Sequence, residues 1–416
     1  MKKASFLSAI ISALTILSSV IIDKIVAIYS GASGLVVISQ FKNLYSIVKT
    51  LSNGAINDGV VKYSSEHQNT LKLDDYLSSG FKIALIFSFV IGAILALFSK
   101  FFSNLILYTE EYFYFFIALG ISLPLIGFYD LLLSTLIGLK KIKEFYKISF
   151  KTQIINVFVT AVLTFVFGLK GAFTSTILNL IIGFIILILY LRKNNWFAIK
   201  KITRKLQKET LKGYGKFFII TLSVMVLYPL ILIYHRDVII SKMGIDSAGY
   251  WQAMFRIYSV SVIFIQTTMR RYLLPKFSST NDYTEIKETI NNSLKFILPF
   301  LFVVILIMVL FKELIIEILF SEDFLLITSI FELTLFVTII EILGWIYSVL
   351  MIAKEKYLGF FFSTLLFGVS FIVLTSLLIE EYLLKGIVYA FLLSKLLQLL
   401  FNYWYYKNKT LSFESN

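Results

Sequence analysis

The sequence has no cysteine and is poor in proline, histidine and charged residues. The absence of Cys excludes disulfide bonds, thiolate metal sites and cysteine nucleophiles. Only four Pro and two His occur in 416 residues, and 15% of the residues are charged. There is no glycine-rich Walker loop, and no His or acidic residues stand at the spacing of metal ligands. We therefore expect a protein that is not an enzyme and that uses no cofactor and no metal.

Apolar stretches dominate the chain instead. Hydrophobic residues make up 58% of it and the mean hydropathy is +0.85, which is more apolar surface than a soluble domain can bury. A hydrocarbon core roughly 30 Å thick requires ~20 apolar residues of helix. Twelve stretches reach that length, at about 5–29, 33–60, 79–99, 112–138, 145–168, 171–191, 216–242, 247–272, 293–318, 326–352, 357–379 and 384–406. We predict an all-α polytopic membrane protein with about twelve transmembrane helices.

The positions of the positive charges predict the orientation of these helices. If the N-terminus is cytoplasmic, the inside connections and tails carry 25 Lys and Arg, and the outside connections carry five. Such a bias across short loops predicts that both termini are cytoplasmic. The surplus of 39 Lys and Arg over 25 Asp and Glu then reflects membrane topology, and we expect no nucleic-acid partner.

The chain divides into two halves of six helices each, residues 1–205 and 206–416. Both halves begin on the same side of the membrane, as two copies of a parallel repeat would. A shift of the chain by 214 residues superposes like residues at Asp23 and Asp237, Phe41 and Phe255, and Lys42 and Arg256. We therefore predict an N-terminal and a C-terminal six-helix lobe.

The longest inside connection, residues 192–216, closes the N-terminal lobe. Apolar residues recur in it at helical spacing, at Trp196, Ile199, Ile202 and Leu206. The pattern predicts an amphipathic helix on the anionic inner leaflet. A basic linker that only enforces topology is the alternative interpretation.

Charged residues inside the apolar helices are the main functional candidates, because an ion in hydrocarbon needs a partner and usually has a role. Lys42, Lys49 and Arg256 have no acidic neighbour in the sequence. We expect these unbalanced cations to line a cavity between the two lobes. Such a cavity would attract a phosphate-bearing substrate.

Two adjacent acid–base pairs stand near the outer ends of the first and seventh helices, Asp23 with Lys24 and Arg236 with Asp237. Each pair either serves the substrate or holds helices together as an ion pair. Further candidates for ion coupling or charge pairing are Asp130, His235, Glu341 and Lys395. The imidazole among them titrates near neutral pH and is a candidate proton switch. A lone intramembrane His is more often a hydrogen-bonding filler.

Several short runs resemble one family of transporters. They are KIVAIYSGASGL at 24–35, NGAINDGVVKY at 53–63, GYWQ at 249–252, YLLP at 272–275, SLKFILP at 293–299 and MIAK at 351–354. In the same order, over most of the chain, these runs are similar to the O-antigen and lipid III flippases. Those are polysaccharide transporters of the multidrug/oligosaccharidyl-lipid/polysaccharide exporter superfamily.

The resemblance implies two six-helix bundles that face each other in a V and open alternately to either side. It also implies a function, which is the movement of an undecaprenyl-diphosphate-linked oligosaccharide of O-antigen type across the bacterial inner membrane, from the inner to the outer leaflet. Basic positions of the family in helices 1 and 7 match Lys24 and Arg236, whereas Glu341 stands where the lipid III flippases have a base. Membrane lipids and other polysaccharide assembly proteins are the further partners implied.

Two other functions remain open. A drug or metabolite antiporter of the same superfamily would favour acids over bases in its cavity, and the bases Lys42, Lys49 and Arg256 argue against it. A membrane polymerase or ligase of the same glycan pathway would present catalytic groups on a sizeable outside loop. The outside loops hold only a handful of residues each, which argues against an enzyme.

Overall fold

The computed structural model describes residues 2–67, 72–194 and 223–410, together with Thr210, Tyr214 and Thr221. The described residues form twelve α-helices and no strand. The helices are α1 (Lys2–Ser52), α2 (Asn57–Glu66), α3 (Lys72–Leu97), α4 (Ser99–Leu107), α5 (Phe113–Gly138), α6 (Ile142–Asn194), α7 (Tyr228–Met243), α8 (Ile245–Ser278), α9 (Tyr283–Leu310), α10 (Lys312–Leu319), α11 (Thr328–Ala353) and α12 (Tyr357–Tyr405). The amphipathic helix predicted around 196–206 and the lobe boundary at 205/206 lie outside the described residues and stay predictions.

Three of these helices, α1, α6 and α12, are hairpins that each contain two of the predicted crossings. The chain reverses at a single residue of positive φ, which is Gly31 in α1 (61°), Gly168 in α6 (56°) and Leu383 in α12 (52°). The two arms then lie side by side, as in α6, where Asn179 Nδ2 donates a hydrogen bond to Thr160 Oγ1 at 2.9 Å. Adjacent crossings are therefore joined without a loop.

The number of crossings follows from the helix lengths. Helices α2, α4 and α10 have 10, 9 and 8 residues, which is too short to cross a bilayer. The other six single helices and the three hairpins match the twelve predicted spans in order, so the predicted all-α fold class is confirmed. Seven helical segments of the described chain are long and apolar enough to span a membrane. Helix α7, with 16 residues, and the more polar α8 are not among them.

Two helices begin before the apolar stretches that predicted them. Helix α9 starts at Tyr283, ten residues before the predicted span, and α3 starts at Lys72, seven residues early. The first turns carry Glu285 in α9 and Asp74 with Asp75 in α3. Acidic residues stabilise the positive end of the helix dipole, so these polar turns are helical although hydropathy does not mark them.

The described residues form two compact units. The first consists of Met1–Ser30 and Val37–Pro229, and the second of Gly31–Val36 and Leu230–Asn416. A short helix follows a long single helix in each unit, α4 after α3 in the first and α10 after α9 in the second. Their starting residues, Ser99 and Lys312, are 213 positions apart.

The same turn occurs in both units. Lys140 has φ 57° and Glu355, 215 positions later, has φ 55°. The amide of the residue after each donates to a carbonyl five residues back, at 2.9 Å from Lys141 and 2.8 Å from Lys356. These separations of 213 and 215 residues bracket the shift of 214 found in the sequence and support the internal repeat.

Close backbone contact and an apolar exterior characterise the first unit. A Cβ atom placed on Gly92 of α3 or on Gly120 of α5 would lie 2.5 Å from the carbonyl oxygen of the other glycine. Small residues at such crossings allow membrane helices to approach closely.

Large apolar side chains point outward, among them Leu97 and Ile121 at 79% and 72% exposure. This surface suits contact with lipid tails.

Candidate functional site

The reversal of α1 at Gly31 brings together the first intramembrane ion pair. Asp23 lies eight residues before the turn and Lys42 eleven residues after it. The Lys42 Nζ is 3.3 Å from Asp23 Oδ1, and the two side chains are 29% and 10% exposed. Lys24, the residue after the aspartate, is half-buried. The acid of the predicted Asp23 and Lys24 pair thus contacts a lysine that is distant in sequence.

A second ion pair connects α1 with α5. The Lys49 Nζ lies 3.2 Å from Asp130 Oδ1, with 33% of the lysine side chain and 11% of the aspartate exposed. Tyr45, one turn before the lysine, and Tyr129, next to the aspartate, border this pair. Two tyrosines thus surround a charge pair that an apolar neighbourhood would otherwise leave poorly solvated.

The prediction that Lys42 and Lys49 are unbalanced cations is wrong. Each has a carboxylate within 3.3 Å, supplied across the hairpin by Asp23 and across a helix contact by Asp130. A search for acids beside these lysines in the sequence misses both partners. In each pair the lysine side chain is nevertheless more exposed than the aspartate, at 29% against 10% and 33% against 11%.

In the second unit, Arg236 on α7 is almost fully buried. Its Nε donates a hydrogen bond of 2.9 Å to Gln252 Oε1 on α8, and 3% of the residue is exposed. Asp237 follows it in a half-buried position. Arg256, also half-buried, lies one turn beyond the glutamine on the same helix. Arg236 thus lies on α7 and Arg256 on α8, and the turn at Gly244 connects the two helices.

His235 belongs to an aromatic cluster next to this arginine. Its ring is fully buried, stacks on Phe371 at 3.7 Å between centroids, and lies 5.9 Å from the Trp251 ring. Nε2 shares a hydrogen bond of 3.0 Å with Thr375 Oγ1. The other ring nitrogen, Nδ1, is buried and has no hydrogen-bond partner among the described residues. The predicted role of this imidazole as a proton switch stays a prediction.

A buried network around Lys395 joins three helices of the second unit. The Lys395 Nζ lies 2.6 Å from Glu341 Oε2 and 3.0 Å from Gln398 Oε1. Gln266 Nε2 donates to the other carboxylate oxygen, Oε1, at 3.1 Å. The ammonium also sits 3.8 Å from the centre of the Phe367 ring, a cation–π contact. The structure thus brings together Glu341 and Lys395, which were predicted separately.

Glutamine side chains also take part in these sites, although none of them was predicted from the sequence. Gln252, Gln266 and Gln398 each bond a predicted charged residue. Gln40, fully buried in the first unit, donates to the Tyr108 hydroxyl at 3.0 Å. A glutamine inside an otherwise apolar crossing is a usable signal, since its amide needs a partner in hydrocarbon.

Two acids near helix ends and turns are exposed and form surface ion pairs. Glu111 lies 2.7 Å from Lys170, and Glu380 pairs with Lys242. More than half of each glutamate side chain is exposed. Within the described ranges, no group of three or more His, Asp and Glu residues is placed to hold a metal ion.

Comparison with known proteins gives one family. A family model described as "Polysaccharide biosynthesis protein" matches residues 34–329. The chain is 22% identical to the lipid III flippases of Escherichia coli K12 and of Shigella flexneri, over 355 residues and 85% of each chain. The resemblance found in the sequence is confirmed.

Solved structures share the fold at lower identity. An inward-facing multidrug resistance MATE family transporter of the MOP superfamily superposes with a TM-score of 0.79 at 12% identity, over 98% of this chain and 96% of that one. A MOP superfamily transporter from Pyrococcus furiosus, whose description reports a binding pocket of reverse polarity, has a TM-score of 0.71 at 13% identity, with 99% and 95% coverage. At these identities the likenesses show the fold alone.

Proposed function

Because this chain belongs to the polysaccharide biosynthesis protein family, we propose that it is a flippase for a lipid-linked oligosaccharide. The substrate is an O-antigen-type repeat unit on undecaprenyl diphosphate, and it moves from the inner to the outer leaflet of the bacterial inner membrane. The protein is a transporter and not an enzyme, with both termini in the cytoplasm. The similarity to lipid III flippases over 85% of the chain supports this substrate class.

One observation carries the proposal, namely the partly exposed side chains of Lys42 and Lys49 within apolar crossings. About a third of each lysine side chain is accessible, although both lie on a helix arm that is largely buried. An exposed cation inside a membrane protein marks a path for a charged substrate. A diphosphate, which carries several anionic oxygens, is the part of the substrate that these groups suit.

The chemistry of the substrate requires such groups. Diphosphate and sugars do not cross hydrocarbon unaided, whereas the prenyl tail can remain in lipid. Lys24, Arg236 and Arg256 are the further basic residues that we assign to the diphosphate. Asp23, Asp130, Asp237 and Glu341 balance the bases, and His235 and Lys395 are the remaining candidates for coupling. Membrane lipids and other polysaccharide assembly proteins are the proposed partners.

Leaflet-resolved detection of lipid-linked glycan in cells lacking the protein tests this function. We expect single repeat units to accumulate on the inner leaflet. Accumulation on the outer leaflet would indicate an enzyme that acts later in the pathway. Normal glycan distribution together with loss of cationic-dye efflux would indicate a drug antiporter.

A further inference from the structure

Lys42 and Lys49 place two ammonium groups in a row along the second arm of α1. Seven residues separate them, so they share a face of the helix and stand about 10 Å apart along its axis. A carboxylate from another segment lies against each, Asp23 from the first arm and Asp130 from α5. The lysine side chains are 29% and 33% exposed, whereas the aspartates are 10% and 11% exposed. The lysine is therefore the more accessible member of each pair.

A transporter has to release its substrate as well as bind it. Opposite charges in a low-dielectric interior attract far more strongly than in water, so a row of unbalanced cations would retain a diphosphate. A carboxylate beside each ammonium reduces its net attraction for a second anion. The flexible four-carbon stem of lysine lets the ammonium shift between two anionic partners.

We propose that Asp23 and Asp130 are resident competitors of the substrate's diphosphate, an inference that rests on the proposed function. Each aspartate holds its lysine while the site is empty, yields part of that contact when the diphosphate binds, and regains it when the diphosphate leaves. Lys49, three residues from the inner end of α1, takes the diphosphate first, and Lys42 takes it nearer the outer turn. The two aspartates thus set the strength of binding and the rate of release.

Binding of inorganic pyrophosphate to the purified full-length protein tests this exchange. Asp130→Asn removes the competing charge and keeps the size of the side chain. We expect this variant to bind pyrophosphate about tenfold more tightly than the wild type, which corresponds to ~1.4 kcal/mol. In cells the same variant should export glycan several-fold more slowly, because release is delayed. A residue with a purely structural role would not increase affinity when replaced.

Three variants serve as controls. Asp130→Glu keeps the carboxylate and should tighten pyrophosphate binding far less than Asp130→Asn does. The double variant Lys49→Gln, Asp130→Asn removes both charges, so that no buried ion is left unpaired, and should bind more weakly than the wild type. Glu111→Gln makes the same change of net charge at an exposed outer pair and should leave affinity unchanged.

Different results would overturn the proposed exchange of partners and the proposed flippase function. Equal or weaker pyrophosphate binding by a folded Asp130→Asn variant would overturn the exchange, even if the leaflet assay supports a flippase. An equal increase in pyrophosphate affinity for Glu111→Gln would overturn the exchange too. The increase would then come from the change in the net charge of the protein and not from the loss of a competing carboxylate. Accumulation of glycan on the outer leaflet would count against the flippase, whatever the pyrophosphate affinities are.

Discussion

Buried charges in this protein are satisfied by partners that the chain supplies from elsewhere in the same unit. Arg236 bonds the amide of Gln252, and Lys395 contacts both a carboxylate and an aromatic ring. Removal of one member of such a set leaves an uncompensated group in a low-dielectric site. Single and double substitutions therefore distinguish a charge that binds substrate from one that only holds helices together.

Arg236 is the residue where this distinction is sharpest. We expect Arg236→Ala to lower glycan export by at least about tenfold, and Asp237→Asn added to it not to restore export, because the loss comes from the missing cation. Export and membrane abundance are measured for both single variants and the double variant. Lys242→Ala, at an exposed outer pair, is the matched control and should export normally. Recovery of export in the double variant would remove Arg236 from the substrate site.

The sequence predicts the charged residues of these sites but not their partners. Lys49 and Asp130 are each recognisable as ions in hydrocarbon, yet 81 positions separate them, and no local pattern indicates that they meet. Only the packing of α5 against α1 brings them within 3.2 Å. Glutamines such as Gln266 were missed for a different reason, since a neutral side chain hardly changes the hydropathy of a long apolar stretch.

At the level of elements, the hairpin turn of α12 carries a strain that the other hairpins avoid. Leu383 adopts φ 52°, the left-handed region that costs a side-chain-bearing residue about 1–2 kcal/mol, where α1 and α6 have glycine. Its side chain is 60% exposed, so little packing is lost on removal. We expect Leu383→Gly to stabilise the protein by about 0.5–1 kcal/mol, after the extra entropy of glycine in the unfolded chain is subtracted.

Thermal unfolding in detergent measures this effect. The control is Leu393→Gly, which replaces a leucine of 43% exposure in the helical part of the same element. That substitution should destabilise the protein by about 1 kcal/mol, because glycine disfavours a helix interior. A melting midpoint of Leu383→Gly below that of the wild type would contradict backbone strain at Leu383.

The crossing of α3 and α5 depends on two glycines. A Cβ on Gly120 would lie 2.5 Å from the carbonyl oxygen of Gly92, so the helices must separate to admit it. We expect Gly120→Ala to destabilise the protein by about 1–3 kcal/mol, the usual range for overpacking. Gly344→Ala is the control, because its nearest neighbour is 3.6 Å away. Equal melting of the two variants would argue against a close crossing.

The N-terminus of α9 has a pH-dependent cap. Asp282 Oδ1 accepts hydrogen bonds from the Thr284 hydroxyl at 2.7 Å and the Thr284 amide at 2.8 Å, and these bonds hold the pKa of its carboxyl below the ordinary 3.8. A depressed pKa in the folded state adds stability at pH values above 3.8, and this contribution is lost as the pH falls through the lower folded-state value. Asp282→Ala should therefore lower the melting midpoint at neutral pH but not in strong acid.

Comparison of melting midpoints across pH tests the cap. Asp282→Asn keeps an acceptor oxygen at the N-cap and should retain much of the stability, with no titration of its own. A deficit of Asp282→Ala that stays constant into strong acid would mean that the carboxylate charge is not involved.

At the scale of the whole molecule, the positions of Lys and Arg predict which connections face the cytoplasm. The complete absence of Cys makes this directly testable, because single cysteines can be introduced without a background to remove. In intact cells, a membrane-impermeant maleimide should label Lys100→Cys and Lys242→Cys at outer connections. Lys143→Cys and Lys287→Cys should be labelled only after permeabilisation. All four positions are exposed, so access to the reagent depends on the side of the membrane. Labelling of the second pair in intact cells would invert the orientation.

The number and order of the crossings could be predicted from the sequence because long apolar stretches have few alternatives in a bilayer. The helix starts at Lys72 and Tyr283 could not be predicted, because polar first turns resemble loops. The loop-free reversals at Gly31 and Gly168 were visible only as short interruptions between spans. A break of two or three residues indicates a turn but does not reveal that one residue makes it.

The hairpins constrain how the protein is made. One residue makes the reversal in α1, α6 and α12, so no loop connects the two arms of each hairpin. The first arm therefore cannot insert into the membrane while the second arm stays outside it. If only one arm inserted, backbone N–H and C=O groups of the turn would lie in lipid without hydrogen-bond partners. We therefore expect each hairpin to enter the bilayer as one unit during synthesis, with its orientation set by the lysines and arginines that flank it.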